Sequence, residues 1–340
     1  MTRPVLSVVI PVFNEEAAIP ELGRRLQDFL DKVGVTTEVV FVDDGSRDTS
    51  KELLRRLCAA NPCYCLVGLS RNFGHQTAIT AGLDYAQGEA VVVMDADLQD
   101  PPEVIHEMLA RFRQGFDVVY GTRRRRERES WFKRLTAAVF YRVFRRVVGV
   151  PVPIDAGDFR LMSRRVVLAM RALKETHRFV RGMVAWVGFR QTAVAYDRSA
   201  RSAGETHYPL RKMIRLAIDG MTSFSTVPLR IATYLGIVAG LIAIGTAAWA
   251  VWEKVSGHFT VTGWTTTMVA ISLAASAQLL MTGILGEYVG RIYEEVKRRP
   301  LYLVGEELHA MRDEDDRENR SVPVGSMGRK DPSVADAPPQ

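Results

Sequence analysis

Residues 231–252 include no charged side chain, and a second uncharged stretch spans residues 259–285. Backbone placed in hydrocarbon must satisfy its own N–H and C=O groups, so stretches like these are confined to helices. About 22 residues at about 1.5 Å rise cover about 33 Å, enough for a hydrocarbon core of about 30 Å. The connection holds Glu253, Lys254 and His258, and Trp249, Trp252 and Trp264 cluster at that end like an interfacial aromatic belt. Arg211, Lys212, Arg215 and Arg230 precede the first stretch, and Arg291, Lys297, Arg298 and Arg299 follow the second. This positive-inside bias puts both termini in the cytoplasm and a short loop outside. The competing reading, a buried hairpin in a soluble protein, requires two uncharged helices of this length.

Ahead of these stretches the pattern changes. Apolar β-branched runs at residues 6–10, 38–42, 65–69, 90–94 and 117–120 read as strands. Helical spacing separates them: Leu22, Leu26, Phe29 and Leu30; Leu53, Leu54 and Leu57; Ile79, Leu83 and Tyr85; Val104, Ile105, Met108 and Leu109. Alternation of this kind makes the fold class α/β, a mostly parallel sheet with helices on both faces. Neither a Gly-x-Gly-x-x-Gly turn after the first strand nor a Walker lysine loop is present, which disfavours dinucleotide oxidoreductases and P-loop hydrolases.

The run Ala90-Val91-Val92-Val93-Met94 ends in Asp95-Ala96-Asp97. Two carboxylates spaced i, i+2 at the carboxyl end of a strand face the crevice where open α/β sheets bind ligands. Carboxylates there hold a hard divalent cation, Mg2+ or Mn2+, whose shell a phosphate-bearing substrate completes. A polar turn or helix cap ahead of Pro101-Pro102 is the plainer alternative. Three further polar clusters follow other strands: residues 11–16 with Pro11, Asn14 and Glu16, residues 43–48 with Asp43 and Asp44, and residues 71–75. Each alone is ordinary turn chemistry, and Ser46 or Asp48 suits a helix cap. Four on one sheet edge make a ligand crevice.

Together these clusters resemble the GT-A glycosyltransferases of family 2, and more narrowly the polyprenyl-phosphate glycosyltransferases related to dolichyl-phosphate mannose synthase, with an added pair of transmembrane helices. The resemblance covers residues 7–212 by motif and extends to about residue 299 with the hairpin. It implies a GT-A, Rossmann-like fold and an inverting transfer of one sugar from a UDP- or GDP-sugar to undecaprenyl or decaprenyl phosphate. Pro11, Asn14, Glu16, Asp43 and Asp44 then line the nucleotide pocket, and Asp95 and Asp97 hold the metal with Gln99 beside them. Asp155-Ala156-Gly157-Asp158-Phe159-Arg160 resembles the acceptor-side motif. Residues 201–208, followed by Lys212, resemble a basic loop before the membrane, with Thr206-His207 where many relatives carry Ser-Lys. Arg123, Arg160, Arg201 and Lys212 are the candidates for the acceptor phosphate. Asp158 is either a base on a monoprotonated phosphate or an orienting group for Arg160, with Asp155 a weaker competitor. His75 and His177 read as structural.

The implied organisation is a catalytic domain over 1–204, a juxtamembrane amphipathic segment over 205–230 and spans at 231–252 and 264–286. An external loop over 253–263 joins the spans, and a cytoplasmic helix over 287–306 and a disordered polar tail over 307–340 follow. Residues 131–148 are basic and aromatic, either an ordinary amphipathic core helix or an interfacial helix on an anionic membrane; residues 207–224 resemble them. The formal net charge of +6 suits anionic partners, but no nucleic-acid recognition signature accompanies it. Cys58, Cys63 and Cys65 fit no zinc spacing and read as reduced thiols, and Met1 leads straight into a strand pattern with no signal peptide. Gly236, Gly240 and Gly245 permit close helix contacts in a homo-oligomer, and tetramers occur in similar proteins. Two rivals are a processive polysaccharide synthase, which lacks support because no Gln-x-x-Arg-Trp motif occurs, and a non-catalytic nucleotide-sugar-binding scaffold, which an intact Asp95-x-Asp97 argues against.

Overall fold

A computed structural model describes residues 3–123, 156–197, 227–256 and 263–309. Asp155, Arg201 and Lys212 lie outside the described residues, as do the expected helices over 131–148 and 207–224 and the tail from 310.

The five anticipated strands form as β1 (Leu6–Val12), β2 (Thr37–Asp43), β3 (Tyr64–Leu69), β4 (Ala90–Val93) and β5 (Val118–Arg123). The first four helices are α1 (Ile19–Val33), α2 (Ser50–Ala60), α3 (His75–Tyr85) and α4 (Ile105–Arg113). Beyond them run β6 (Ala156–Ser163), α5 (Arg164–Ala172), α6 (Val180–Trp186) and β7 (Gln191–Tyr196). Two long helices, α7 (Val227–Val255) and α8 (Trp264–Val296), lead to a last strand, β8 (Val304–His309). The eight strands form one sheet in the order β7-β5-β6-β4-β1-β2-β3-β8. Strands β2, β1, β4 and β3 pair parallel, as do β5 and β7, while β6 runs antiparallel between β4 and β5.

The buried runs of the sequence are buried because helices cover both faces. Along β1, Leu6, Val8, Ile10 and Val12 enter a core with Leu22 and Leu26 of α1, Leu54 of α2 and Met108 of α4. Val9, pointing the other way, joins Ile79 of α3, Val166 of α5 and Met183 of α6. Each such side chain contributes about 1.5–3 kcal/mol on burial, so strand alternation alone commits both faces. Gly82 lets α3 lie close on β1, since a Cβ there would stand 2.2 Å from Val9 Cγ1.

The end of the chain differs from the expected cytoplasmic helix over 287–306 and polar tail. Helix α8 stops at Val296, Arg298 takes a left-handed φ of 49°, and Pro300 follows. Residues 304–309 then pair antiparallel with β3, closing an otherwise open edge.

Both expected spans are helical, but they are unequal. Ala270–Val296 is long and apolar enough to cross a membrane, whereas the apolar core found in α7 is the shorter Ala232–Thr246. Both helices expose large apolar side chains, among them Leu241, Ile244, Leu273 and Leu279. A Cβ added at Gly236 would stand 3.7 Å from Met281 of α8, so Gly236 faces the other helix of the hairpin, while a Cβ at Gly240 or Gly245 would meet nothing within 4 Å. All three cysteines are free; Cys58 and Cys65 are buried, and burial pushes the Cys58 thiol up to about 12.

Candidate active site

The sheet changes winding direction at β1: β2 lies on one side and β4 on the other, with α1 and α3 on opposite faces. Carboxyl ends of strands diverge at such a switch point and open a crevice. Pro11 is buried within β1 opposite Val42, so it shapes the strand end from beneath. Asn14, just past β1, adopts a left-handed φ of 55°. Its amide donates to Ser46 Oγ at 3.0 Å, and its Oδ1 accepts the Arg47 amide at 2.8 Å. Glu16 Oε2 accepts the Thr49 amide at 3.0 Å and the Thr49 hydroxyl at 2.7 Å. Asp48 Oδ1 accepts the amide of Ser50, the first residue of α2, but the N-cap position is Thr49, so neither Ser46 nor Asp48 caps that helix. Asn14 and Glu16 thus knit the first two loops into one rim.

Asp43 and Asp44 face inward. Asp43 Oδ1 accepts the Ser46 amide at 3.2 Å, while its buried Oδ2 has no hydrogen-bond partner. The Asp44 carboxylate accepts the amides of Phe73 and Gly74 at 2.7 and 2.9 Å, fixing the loop after β3. Burial raises its pKa, and these two amides offset only part of that. Gly45 brings the loops together: its φ is +70°, and a Cβ would meet the Arg71 carbonyl carbon at 2.5 Å.

Across the crevice, Asp95 and Asp97 follow β4 as the motif implies. Leu98, buried in the core, takes a left-handed φ of 59°, and Asp97 Oδ1 accepts the Gln99 amide at 3.1 Å. Asp100 is buried and accepts the Tyr196 hydroxyl, so the turn is anchored at its far end. A non-glycine residue in that conformation persists only where its surroundings hold it, a common mark of ligand sites. About a third of the Asp95 side chain is exposed, at 32%, yet its Oδ1 is shut from solvent with no hydrogen-bond partner. Burial first, then the charges of Asp158, Asp100 and Asp97, push its carboxyl up to about 6 against the pull of His75.

The acceptor-side motif lies on β6. Alternation places Asp158, Arg160 and Met162 toward α3, α5 and α6, with Phe159 and Leu161 on the opposite face. Val93 stands opposite Arg160, so continuing the β4–β6 register brings Asp95 toward Asp158. His75, the first residue of α3, sits between them with Nε2 3.6 Å from Asp95 Oδ1 and 3.4 Å from Asp158 Oδ2. Burial opposes its protonation, but the two carboxylates outweigh burial and raise its pKa. Asp158 pairs with Arg181 of α6 through Nε at 2.8 Å and Nη2 at 3.0 Å, not with Arg160. Burial would raise the Asp158 carboxyl, and His75 and Arg181 overcome it and hold it below the usual carboxylate range. Arg160 is buried and donates through Nη2 to the Gly157 carbonyl at 2.7 Å.

Motif reasoning singled out Asp95, Asp97 and Asp158, read the His75 that lies between Asp95 and Asp158 as structural, and did not single out Arg181. Arg181 belongs to no recognisable pattern, and only the fold brings it to Asp158. Arg123 ends β5 opposite Tyr196. Asp155, Arg201 and Lys212 belong to the residues outside the description.

The enclosed Asp95 Oδ1, which accepts no hydrogen bond, with Asp97 two residues on fits a hard cation. Among the described residues no group of three His, Cys, Asp or Glu is arranged to hold one alone, so phosphate oxygens would have to complete its shell.

Residues 7–170 match the glycosyl transferase family 2 domain, and residues 227–292 match the GtrB C-terminal hairpin. An uncharacterized glycosyltransferase of Bacillus subtilis, YkcC, is 49% identical over 298 residues, 88% of this chain and 92% of that protein. The chain belongs to glycosyltransferase family 2. Another similar protein is the prophage bactoprenol glucosyl transferase homolog of Escherichia coli, 38% identical over 88% of this chain and 98% of its own length. Among solved structures, the mannosyltransferase PcManGT of Pyrobaculum calidifontis, in complex with GDP-Man and Mn2+, aligns with 85% of this family 2 enzyme and 88% of its own chain at 19% identity and a TM-score of 0.42.

Proposed function

We propose that this family 2 enzyme transfers one sugar, with inversion, from a UDP- or GDP-sugar to a polyprenyl phosphate such as undecaprenyl or decaprenyl phosphate. The reaction takes place at the cytoplasmic face of the membrane and supplies lipid-linked sugar for glycosylation of the cell envelope. The observation that carries the reading is the enclosed Asp95 Oδ1, 3.6 Å from His75, which in turn lies 3.4 Å from Asp158 of the acceptor-side motif. Likeness to bactoprenol glucosyl transferases and the two exposed apolar helices support a lipid acceptor.

The residues divide the work. Asn14, Glu16, Asp43 and Asp44, with Pro11 beneath, build the rim for base and ribose, and Gln99 lies beside the diphosphate. Asp95 and Asp97 would hold Mg2+ or Mn2+, which when bound stabilises the negative charge building on the departing nucleoside diphosphate. A phosphate monoester with a second pKa of about 6 is largely dianionic at neutral pH, so the attacking oxygen needs no strong protein base. Asp158, held ionised by Arg181, organises cations instead. Arg123, Arg201 and Lys212 offset repulsion between two anionic substrates. Asp155 would serve only as a reserve carboxylate on that side. The α7/α8 hairpin anchors the enzyme with both termini in the cytoplasm, as a homo-oligomer with a tetramer as the candidate state.

Purified enzyme is incubated with polyprenyl phosphate and a panel of UDP- and GDP-sugars, and the lipid fraction is read by mass spectrometry. A single added sugar on the lipid phosphate is the expected product. Polymer formation would favour a processive synthase, and absence of any lipid product across the panel would overturn the reading.

A further inference from the structure

Two arginines flank Asp158, and they differ in what they offer a substrate. Arg160, which the motif puts forward, is 4% exposed, and its Nη2 is taken by the Gly157 carbonyl. Burial pushes its pKa down to about 10, and its Nε is enclosed with no hydrogen-bond partner. Arg181 reaches the same carboxylate from α6 while 36% of its side chain stays exposed. Its two bonds to Asp158, at 2.8 and 3.0 Å, form the bidentate fork that fixes a guanidinium plane.

We propose that Arg181 is an acceptor-phosphate-binding residue, aimed by Asp158, and that Arg160 supports it from within the core. The inference rests on the reading of a phosphate monoester acceptor. Two observations carry it. The bidentate pairing with Asp158 fixes the plane of the guanidinium while more than a third of the side chain stays exposed. His75 joins this group to Asp95, with 3.4 Å on one side and 3.6 Å on the other, so a phosphate at Arg181 stands across from the donor diphosphate. Planar, bidentate recognition of phosphate is what arginine does better than lysine.

The test uses full-length enzyme in detergent, titrated calorimetrically with a short-chain prenyl phosphate, with the prenyl alcohol as control. UDP with Mn2+ is titrated separately. Removing Arg181 alone takes the bidentate partner from a buried carboxylate and leaves it only His75, which destabilises the fold. Arg181→Lys is therefore joined by the charge-balanced double variant Arg181→Gln/Asp158→Asn. Both are expected to lose about ten- to hundredfold in affinity for the prenyl phosphate, with UDP affinity within about twofold of wild type. In turnover, the acceptor KM should rise far more than kcat falls. If wild type binds the phosphate and the double variant binds it equally, or if UDP affinity falls in parallel, Arg181 does not hold the acceptor. If wild-type enzyme binds prenyl phosphate no better than the alcohol, the acceptor class itself is wrong.

Discussion

Asp95 combines opposing demands in one side chain: an enclosed oxygen with no hydrogen-bond partner and a carboxyl pushed up to about 6. Such a group destabilises the ligand-free fold and is retained where a cation or its complex satisfies it. Asp95→Asn should therefore melt no lower than wild type while losing at least about tenfold in Mn2+-dependent UDP affinity. Calorimetry and a melting curve check both; a lower Tm with intact UDP binding would make Asp95 structural. Asp97→Ala should likewise silence transfer, and EDTA should silence the wild type until Mg2+ or Mn2+ is returned. Gly45 supplies a second residue-scale case. Its φ of +70° and the 2.5 Å approach to Arg71 leave no room for a methyl group. Gly45→Ala should separate the rim from the loop that Asp44 fixes, weakening UDP binding by about tenfold or more and lowering Tm by several degrees, a loss of about 1–3 kcal/mol. Asp95 and Asp97 were legible in advance because they sit together in a short motif at a strand end, whereas the close approach of Gly45 to Arg71 was not. His75 and Arg181 were not, because Asp158 is 83 residues from His75 and 23 from Arg181, and only β6 joins them.

Among the elements, β8 makes the least expected contribution. The sequence of residues 304–309, Val-Gly-Glu-Glu-Leu-His, has neither the apolar run of a central strand nor a turn joining it to β3. Strands β1 to β4 announce themselves because burial on both faces leaves near-continuous apolar runs. An edge strand has no such signature, and its partner is more than two hundred residues away. What holds it is polar: Glu306 pairs with Arg55 at 2.6 Å and Lys51 at 2.8 Å, and Tyr302 donates to Asp84 at 2.9 Å. The Leu303 carbonyl accepts the Ser70 amide at 2.8 Å, at the start of the loop leading to His75. Arg55 and then Lys51 hold the Glu306 carboxyl down to about 2, from an ordinary 4.5. A depressed carboxylate contributes its stability above the unfolded value and loses it as pH falls through the folded one. Protection of the β8 amides, measured relative to intrinsic exchange at each pH, should accordingly fall as pH falls from about 4.5 toward about 2. Glu306→Gln should show fast exchange already at neutral pH and no further acid step at that strand. Equal protection in wild type and variant across that range would show that backbone pairing alone retains β8.

For the whole molecule, the decisive relation is between the catalytic sheet and the hairpin. Helix α8 has 33 residues, so at about 1.5 Å per residue it is about 50 Å long, more than a hydrocarbon core of about 30 Å requires. Its charged residues, Glu287, Arg291, Glu294 and Glu295, all fall in the last third. The catalytic part grips that end: the Thr176 amide donates to Glu295 at 3.0 Å, and His177 Nε2 lies 2.6 Å from Glu294. Strand β8 then returns from the same end of α8 to the sheet. The catalytic sheet thus lies at the carboxyl end of α8, with the length of the helix between it and Trp264. The two uncharged stretches made both helices legible, though not the shorter apolar core of α7, and the Arg and Lys bias predicts which end faces the cytoplasm. If nucleotide sugar is used in the cytoplasm, Ser256, exposed just past α7, faces outside. Ser256→Cys in a Cys63→Ser background leaves Cys58 and Cys65, both buried, as the other thiols. An impermeant maleimide should label this variant in intact bacterial cells and leave the parent unlabelled. Labelling that appears only after lysis would put the turn in the cytoplasm, and the catalytic sheet, fixed to the other end of α8, on the opposite face from its donor.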